Sequence, residues 1–187
     1  AQSSQRLDWQ VVARLRNGRA QRAQGQFHQA EDSLRLAAQQ AAQAGQPQLE
    51  TQARATLASM LDDRGDLEKA LAEIRLAQQA VKTVDDDALR LQVTAALTYL
   101  QMRLGQVKEA AGEVTAVLAE LDATQQPVWA ARLMRHLGIL KIVMRVYGEG
   151  LHWLRSSVQQ AQSTGDLRVI LLCQTSLMYE LSRLGLY

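Results

Sequence analysis

Apolar side chains recur along this chain on two nested rhythms. Locally they fall three and four positions apart, the spacing that gathers them on one face of an α-helix. On the longer scale the pattern returns every forty residues: Gly25, Gly65, Gly105 and Gly185 keep the beat, and Arg145 fills the remaining place. Two positions after each beat stand Phe27, Leu67, Val107, Tyr147 and Tyr187, all apolar. Five positions after it stand Ala30, Ala70, Ala110 and Gly150, all small, as expected where two helix backbones approach closely. Leu34, Ile74, Val114 and Leu154 follow, then Ala37, Ala77, Val117 and Ser157. Together these columns predict an amphipathic helix that opens just after each beat.

A second helix lies upstream of each beat. Leu57, Leu97, Leu137 and Leu177 form its apolar column, Leu104 and Leu184 end it, and Trp9, Leu49, Leu89, Trp129 and Val169 occupy one column at its start. Pro47 and Pro127 lie near these starts, where a missing N–H costs little. The Asp85 to Asp87 run and Asp166 are N-cap candidates that also place negative charge at the positive end of the helix dipole. A glycine between the helices suits a left-handed C-terminal stop. Each repeat is thus a helical hairpin that cannot bury its apolar face alone and must stack on its neighbours. The expected architecture is all-α, a right-handed α-solenoid of antiparallel hairpins forming one domain over 1–187. Its repeats run from about 6–45, 46–85, 86–125 and 126–165 to a partial fifth at 166–187.

Gly18 or Ala58, the beat glycine, Phe27 or Leu67, Ala30 or Ala70, Leu34 or Ile74, and Ala37 or Ala77 together resemble a tetratricopeptide repeat. Gly65-Asp66-Leu67-Glu68-Lys69-Ala70 is the most typical stretch, and the resemblance covers nearly the whole chain. The usual unit has about thirty-four residues, so each repeat here is longer by roughly one helical turn. Such long units are similar to those in sensor regions of bacterial transcription activators and signalling proteins. The resemblance implies a binding scaffold in which the first helix of each repeat lines a concave face. The Asn that such arrays use to clamp a terminal carboxylate would fall at Arg16, Thr56, Ala96, His136 and Ser176, and none of these is Asn.

Composition and charge narrow the function classes. The chain is 47% hydrophobic but only 4% aromatic, with two prolines, as suits helices of small and unbranched residues. No apolar run approaches the roughly twenty residues of a membrane span, and a cytoplasmic location is expected. The chain starts at Ala1, so removal of an upstream segment stays open. The net charge of +2 is unevenly spread: residues 1–60 hold seven basic and four acidic side chains, 61–126 seven and twelve, and 127–187 seven and three. The acidic middle interrupts the continuous basic stripe that direct nucleic-acid binding would favour.

Residues able to do chemistry do not converge. Gly148-Glu149-Gly150 lacks the lysine and the length of a phosphate loop. His28, His136 and His152 are not at metal spacing, and Asp62, Asp63 and Asp66 lack the calcium-loop pattern. Cys173 shares a column with Ala53, Val93 and Leu133 and reads as a packed thiol. The expectation is a protein without catalytic activity, metal or cofactor.

The outward columns of the later repeats are unusual. Tyr99, Met102, Arg103, Arg132, Arg135, Ile139 and Tyr179 are expected to line one groove, with arginines orienting acidic or carbonyl groups and the others giving apolar contact. The leading reading is therefore a protein- or peptide-binding scaffold. The alternative is a ligand-sensing input domain of a larger bacterial regulator, with an output domain after Tyr187. A second interface is expected at Trp153, whose column otherwise holds Ser33, Glu73 and Glu113, and at Leu177, Leu181 and Leu184. With Val169 and Cys173, those leucines are expected to lie open on the last helix and to drive homodimerisation through the C-terminal end.

Overall fold

The computed structural model describes the backbone of residues 2–186 and the side chains of residues 9–186; Tyr187, assigned above to the apolar column after the last beat, lies outside the described residues. Among the described residues the chain is all-α, 83% helical and without strands. Nine helices follow one another: α1 Gln2–Ala23, α2 Phe27–Gln43, α3 Pro47–Asp63, α4 Leu67–Val81, α5 Asp87–Arg103, α6 Val107–Glu120, α7 Pro127–Val143, α8 Tyr147–Thr164 and α9 Leu167–Arg183. They make an all-α helical-repeat fold. No described helix is long and apolar enough to cross a membrane.

Local chemistry explains where the helices begin and end. Pro47 and Pro127 open α3 and α7, where their missing N–H would have no intrahelical acceptor anyway. Asp166 accepts hydrogen bonds from the backbone N–H groups of Arg168 (2.9 Å) and Val169 (3.4 Å), and Asp86 accepts one from Leu89 (2.9 Å). At the forty-residue beat the backbone turns through the left-handed region, as at Gly65 with φ 82°. Arg145 adopts the same conformation with φ 64°. For a residue with a Cβ this conformation costs roughly 1–2 kcal/mol, so the turn between α7 and α8 keeps its geometry at the expense of strain.

The chain falls into two compact units, Ala1–Leu100 and Gln101–Tyr187. In the first, Leu34, Leu57, Met60, Leu61 and Ile74 are completely buried, and α1 and α2 approach so closely that a Cβ on Gly18 would lie 2.6 Å from Leu34 Cγ. Outside this core runs a chain of ion pairs: Arg64 with Glu31, Glu31 with Arg35, Arg35 with Glu73, Glu73 with Arg54, and Arg54 with Glu50.

In the second unit, Leu133, Leu137, Leu140, Ile142 and Leu154 form the interior. Burying each large side chain of this kind contributes about 1.5–3 kcal/mol. Here the close approach is between α7 and α8, where Gly138 and Gly150 face each other. One side of α9 closes the unit: Val169 and Cys173 pack with Ala131 and Ala161.

Candidate functional site

In the second unit, α7 carries Arg132, Arg135 and Ile139 at helical spacing, and α9 carries Leu172, Thr175, Ser176 and Tyr179. Ile139, Leu172, Thr175, Ser176, Tyr179 and Glu180 line a cleft of ≈ 380 Å³. Tyr179 is 65% exposed and Leu172 40% exposed, so the cleft has an apolar wall open to solvent. Arg135 reaches its edge by donating from Nη1 to Ser176 Oγ at 3.3 Å. Arg132 lies one turn earlier, with its guanidinium carbon 5.2 Å from the centre of the Trp129 ring.

The two guanidiniums lack a counterion among the described residues. Neither forms an ion pair there, and the Nε of each is buried without a hydrogen-bond partner. Burial, followed by the charge of Arg132, pulls the pKa of Arg135 down, although it stays charged at neutral pH. His136, next to Arg135 in sequence, is pushed down to about 3 by burial and then by the two arginines, so it is neutral at pH 7. Burial raises the pKa of Cys173, whose Sγ donates weakly to the Ala131 carbonyl at 3.9 Å. Arginines of the first unit, in other columns of the repeat, are partnered. There Arg22 binds Asp63 and Ser59, and Arg19 binds Thr56.

Of the residues expected to share one groove, Ile139 and Tyr179 line the cleft and Arg135 is hydrogen-bonded to a third lining residue. Arg132 stands a turn away on α7, while Met102 and Arg103, at the end of α5, do not line it. Tyr99 belongs to the first unit, where it is 40% exposed. Trp153 is half-buried with its ring edge-on to His152.

The expected second interface needs correction. Val169 and Cys173 are completely buried, and Leu177, Leu181 and Leu184 pack against Ile142, Leu151 and Leu154. They turn inward because α9 sits on α7 and α8 through this side. Besides Leu172 and Tyr179 of the cleft, α9 leaves open Leu167, Leu171 and Met178, each more than 60% exposed. Their columns show the change directly: Leu171 corresponds to Val11, Thr51, Leu91 and Ala131, and all four are buried.

Sequence reasoning also missed Glu180. It occupies the column of Met60, Leu100 and Leu140, remains buried, and takes both Arg183 Nε at 2.8 Å and Nη2 at 2.7 Å. A carboxylate in a column of large apolar residues was the available signal.

No protein-family model matches the chain, and no curated protein matches it in sequence. Its fold does have a solved counterpart. The crystal structure of BtubC (BKLC) from P. vanneervenii superposes with a TM-score of 0.74 at 17% identity, over 96% of this chain and 85% of that one. At this identity the likeness extends to the fold alone. Among the described residues no three His, Cys, Asp or Glu side chains are grouped as a metal site.

Proposed function

We propose that the chain is a non-catalytic recognition scaffold of the tetratricopeptide-like kind, and that it captures a protein or peptide on the α7–α9 face of its second unit. The observation that carries this reading is the open cleft of Ile139, Leu172 and Tyr179, with Arg135 held at its edge by Ser176. Exposed aromatic and aliphatic side chains beside arginine are the mixture enriched at the centres of protein interfaces. The fold supports the reading because consecutive helical hairpins offer an extended surface separate from their core. Self-association through α9 belongs to the same proposal in corrected form, with Leu167, Leu171 and Met178 as the contact residues instead of the inward leucines.

Replacing Arg135 and Tyr179 together by Ala is expected to weaken partner capture at least tenfold, with helicity by circular dichroism unchanged. Partners that survive this pair of changes and are lost on Trp153→Ala would place recognition on the other face and refute the assignment.

A further inference from the structure

The second unit contains an electrostatic asymmetry that its fold does not require. Arg132 and Arg135 lie three residues apart on α7, and like charges at that spacing repel. No carboxylate among the described residues pairs with either, and each keeps a buried Nε without a partner. The one carboxylate in the cleft wall, Glu180, is engaged by both donor nitrogens of Arg183. An anion arriving from outside therefore finds two guanidiniums already stripped of part of their water and with no internal competitor. Beside them, Ile139, Leu172 and Tyr179 offer an apolar wall. Guanidinium donors in such a setting form strong, directional hydrogen bonds to a carboxylate.

Resting on the reading that this face is the binding face, we propose that its partner is a peptide segment carrying an internal aspartate or glutamate next to a large apolar residue. The carboxylate binds between Arg132 and Arg135, and the apolar side chain enters the cleft against Ile139 and Tyr179. An internal acidic side chain fits better than a chain terminus, because the cleft is an open surface and Ser176 at its edge is already taken up by Arg135. Charge complementarity points to a peptide from an acidic region. The segment 127–187, with seven basic and three acidic side chains, adds a favourable long-range field.

The test uses the whole chain and a phage-displayed library of random dodecapeptides joined to the coat protein through their C-terminal ends, so that no free terminal carboxylate is offered. Selected sequences are remade as amidated fluorescent peptides and titrated by anisotropy. The expected winners carry an acidic residue adjacent to Leu, Ile, Phe or Tyr, and bind at least tenfold more weakly to Arg135→Ala. Changing the peptide's acidic residue to its amide should cause a similar loss, and the two changes together little more than either alone. Arg135→Lys, which keeps the charge without the planar fork, should recover part of the affinity.

Peptides that bind without any acidic residue, are indifferent to Arg135→Ala and Arg132→Ala, yet are lost on Tyr179→Ala would overturn this inference while leaving the cleft as the binding site. Peptides indifferent to all three variants would remove the cleft itself. Failure to select any peptide that binds at tens of micromolar would also overturn the proposal. So would an oligothymidylate that binds the chain more tightly than the selected peptides and is released by Arg132→Ala.

Discussion

Gly150→Ala tests how the second unit is assembled. Gly150 lies in the first turns of α8, against Gly138 on α7. A Cβ added to Gly150 would lie 2.9 Å from the Gly138 carbonyl oxygen and 3.0 Å from the Ile142 nitrogen, and would also collide with Ile142 Cγ1. Two of these atoms are backbone in the C-terminal half of α7, so relief requires one helix to move away from the other. In isolation, alanine favours a helix over glycine by about 0.8–1 kcal/mol. Overpacking a close contact costs typically 1–3 kcal/mol, and backbone neighbours put this case in the upper part of that range. The expected net loss is about 1–2 kcal/mol. Gly112→Ala is the control, because Gly112 is exposed on α6 and an added Cβ meets no atom within 4 Å. It should gain about 0.5–1 kcal/mol. Urea denaturation followed by circular dichroism measures both, and the two variants should shift the midpoint in opposite directions at unchanged slope. If Gly150→Ala is as stable as the parent, or moves with Gly112→Ala, the helices do not meet at this glycine.

Two further outcomes follow from burial. His136 titrates near 3 in the folded state, below the ordinary 6.5, so between these values the unfolded chain holds the proton. Its neutral burial therefore supports the fold fully above pH 6.5, and that support erodes as pH falls towards 3 by up to about 1.4 kcal/mol per pH unit. His136→Gln should flatten the pH dependence of the urea midpoint over this range; identical profiles would refute the assignment. On α9, Leu177→Glu should destabilise by about 2–5 kcal/mol, since a charge would replace packing against Ile142, Leu151 and Leu154. At concentrations low enough to keep the chain monomeric, Leu171→Glu should leave the melting temperature within a degree or so, and a large loss there would show that the exposed side has been misassigned.

Most of the fold was legible because the chain repeats itself. Where four copies of one column agree, as at Ala30, Ala70, Ala110 and Gly150, each copy tests the others, and all four residues are buried in the structure. Helix starts were legible for a local reason: Pro47, Pro127 and Asp166 act through their own backbone geometry and need no knowledge of neighbours. The last helix was misread because the same logic was carried to its end. Leu177 shares the column of Leu57, Leu97 and Leu137, all buried, and stays on the inward side of α9 like them. The residue that loses cover is instead Leu171, whose counterparts Val11, Thr51, Leu91 and Ala131 are all buried. Column identity records which side of a helix a residue occupies. Whether that side is covered depends on what packs there.

Two charges of the candidate site follow the opposite rule, since Arg135 and Glu180 appear where a column breaks. Arg135 stands where other repeats have Leu15, Ala55, Ala95 and Thr175, and Glu180 where they have Met60, Leu100 and Leu140. In a helical repeat, a column that is apolar in most copies reports what packing alone prefers. A charge that replaces it loses solvation and must recover that loss through a partner. Glu180 recovers it internally through Arg183, so its break in the pattern is explained within the fold. Arg135 recovers only one hydrogen bond to a neutral hydroxyl, and Arg132 is left with the face of an aromatic ring. The difference between these two breaks is what the proposed site rests on: it favours Arg135, with Arg132 beside it, over Glu180 as the charge that takes its partner from another molecule.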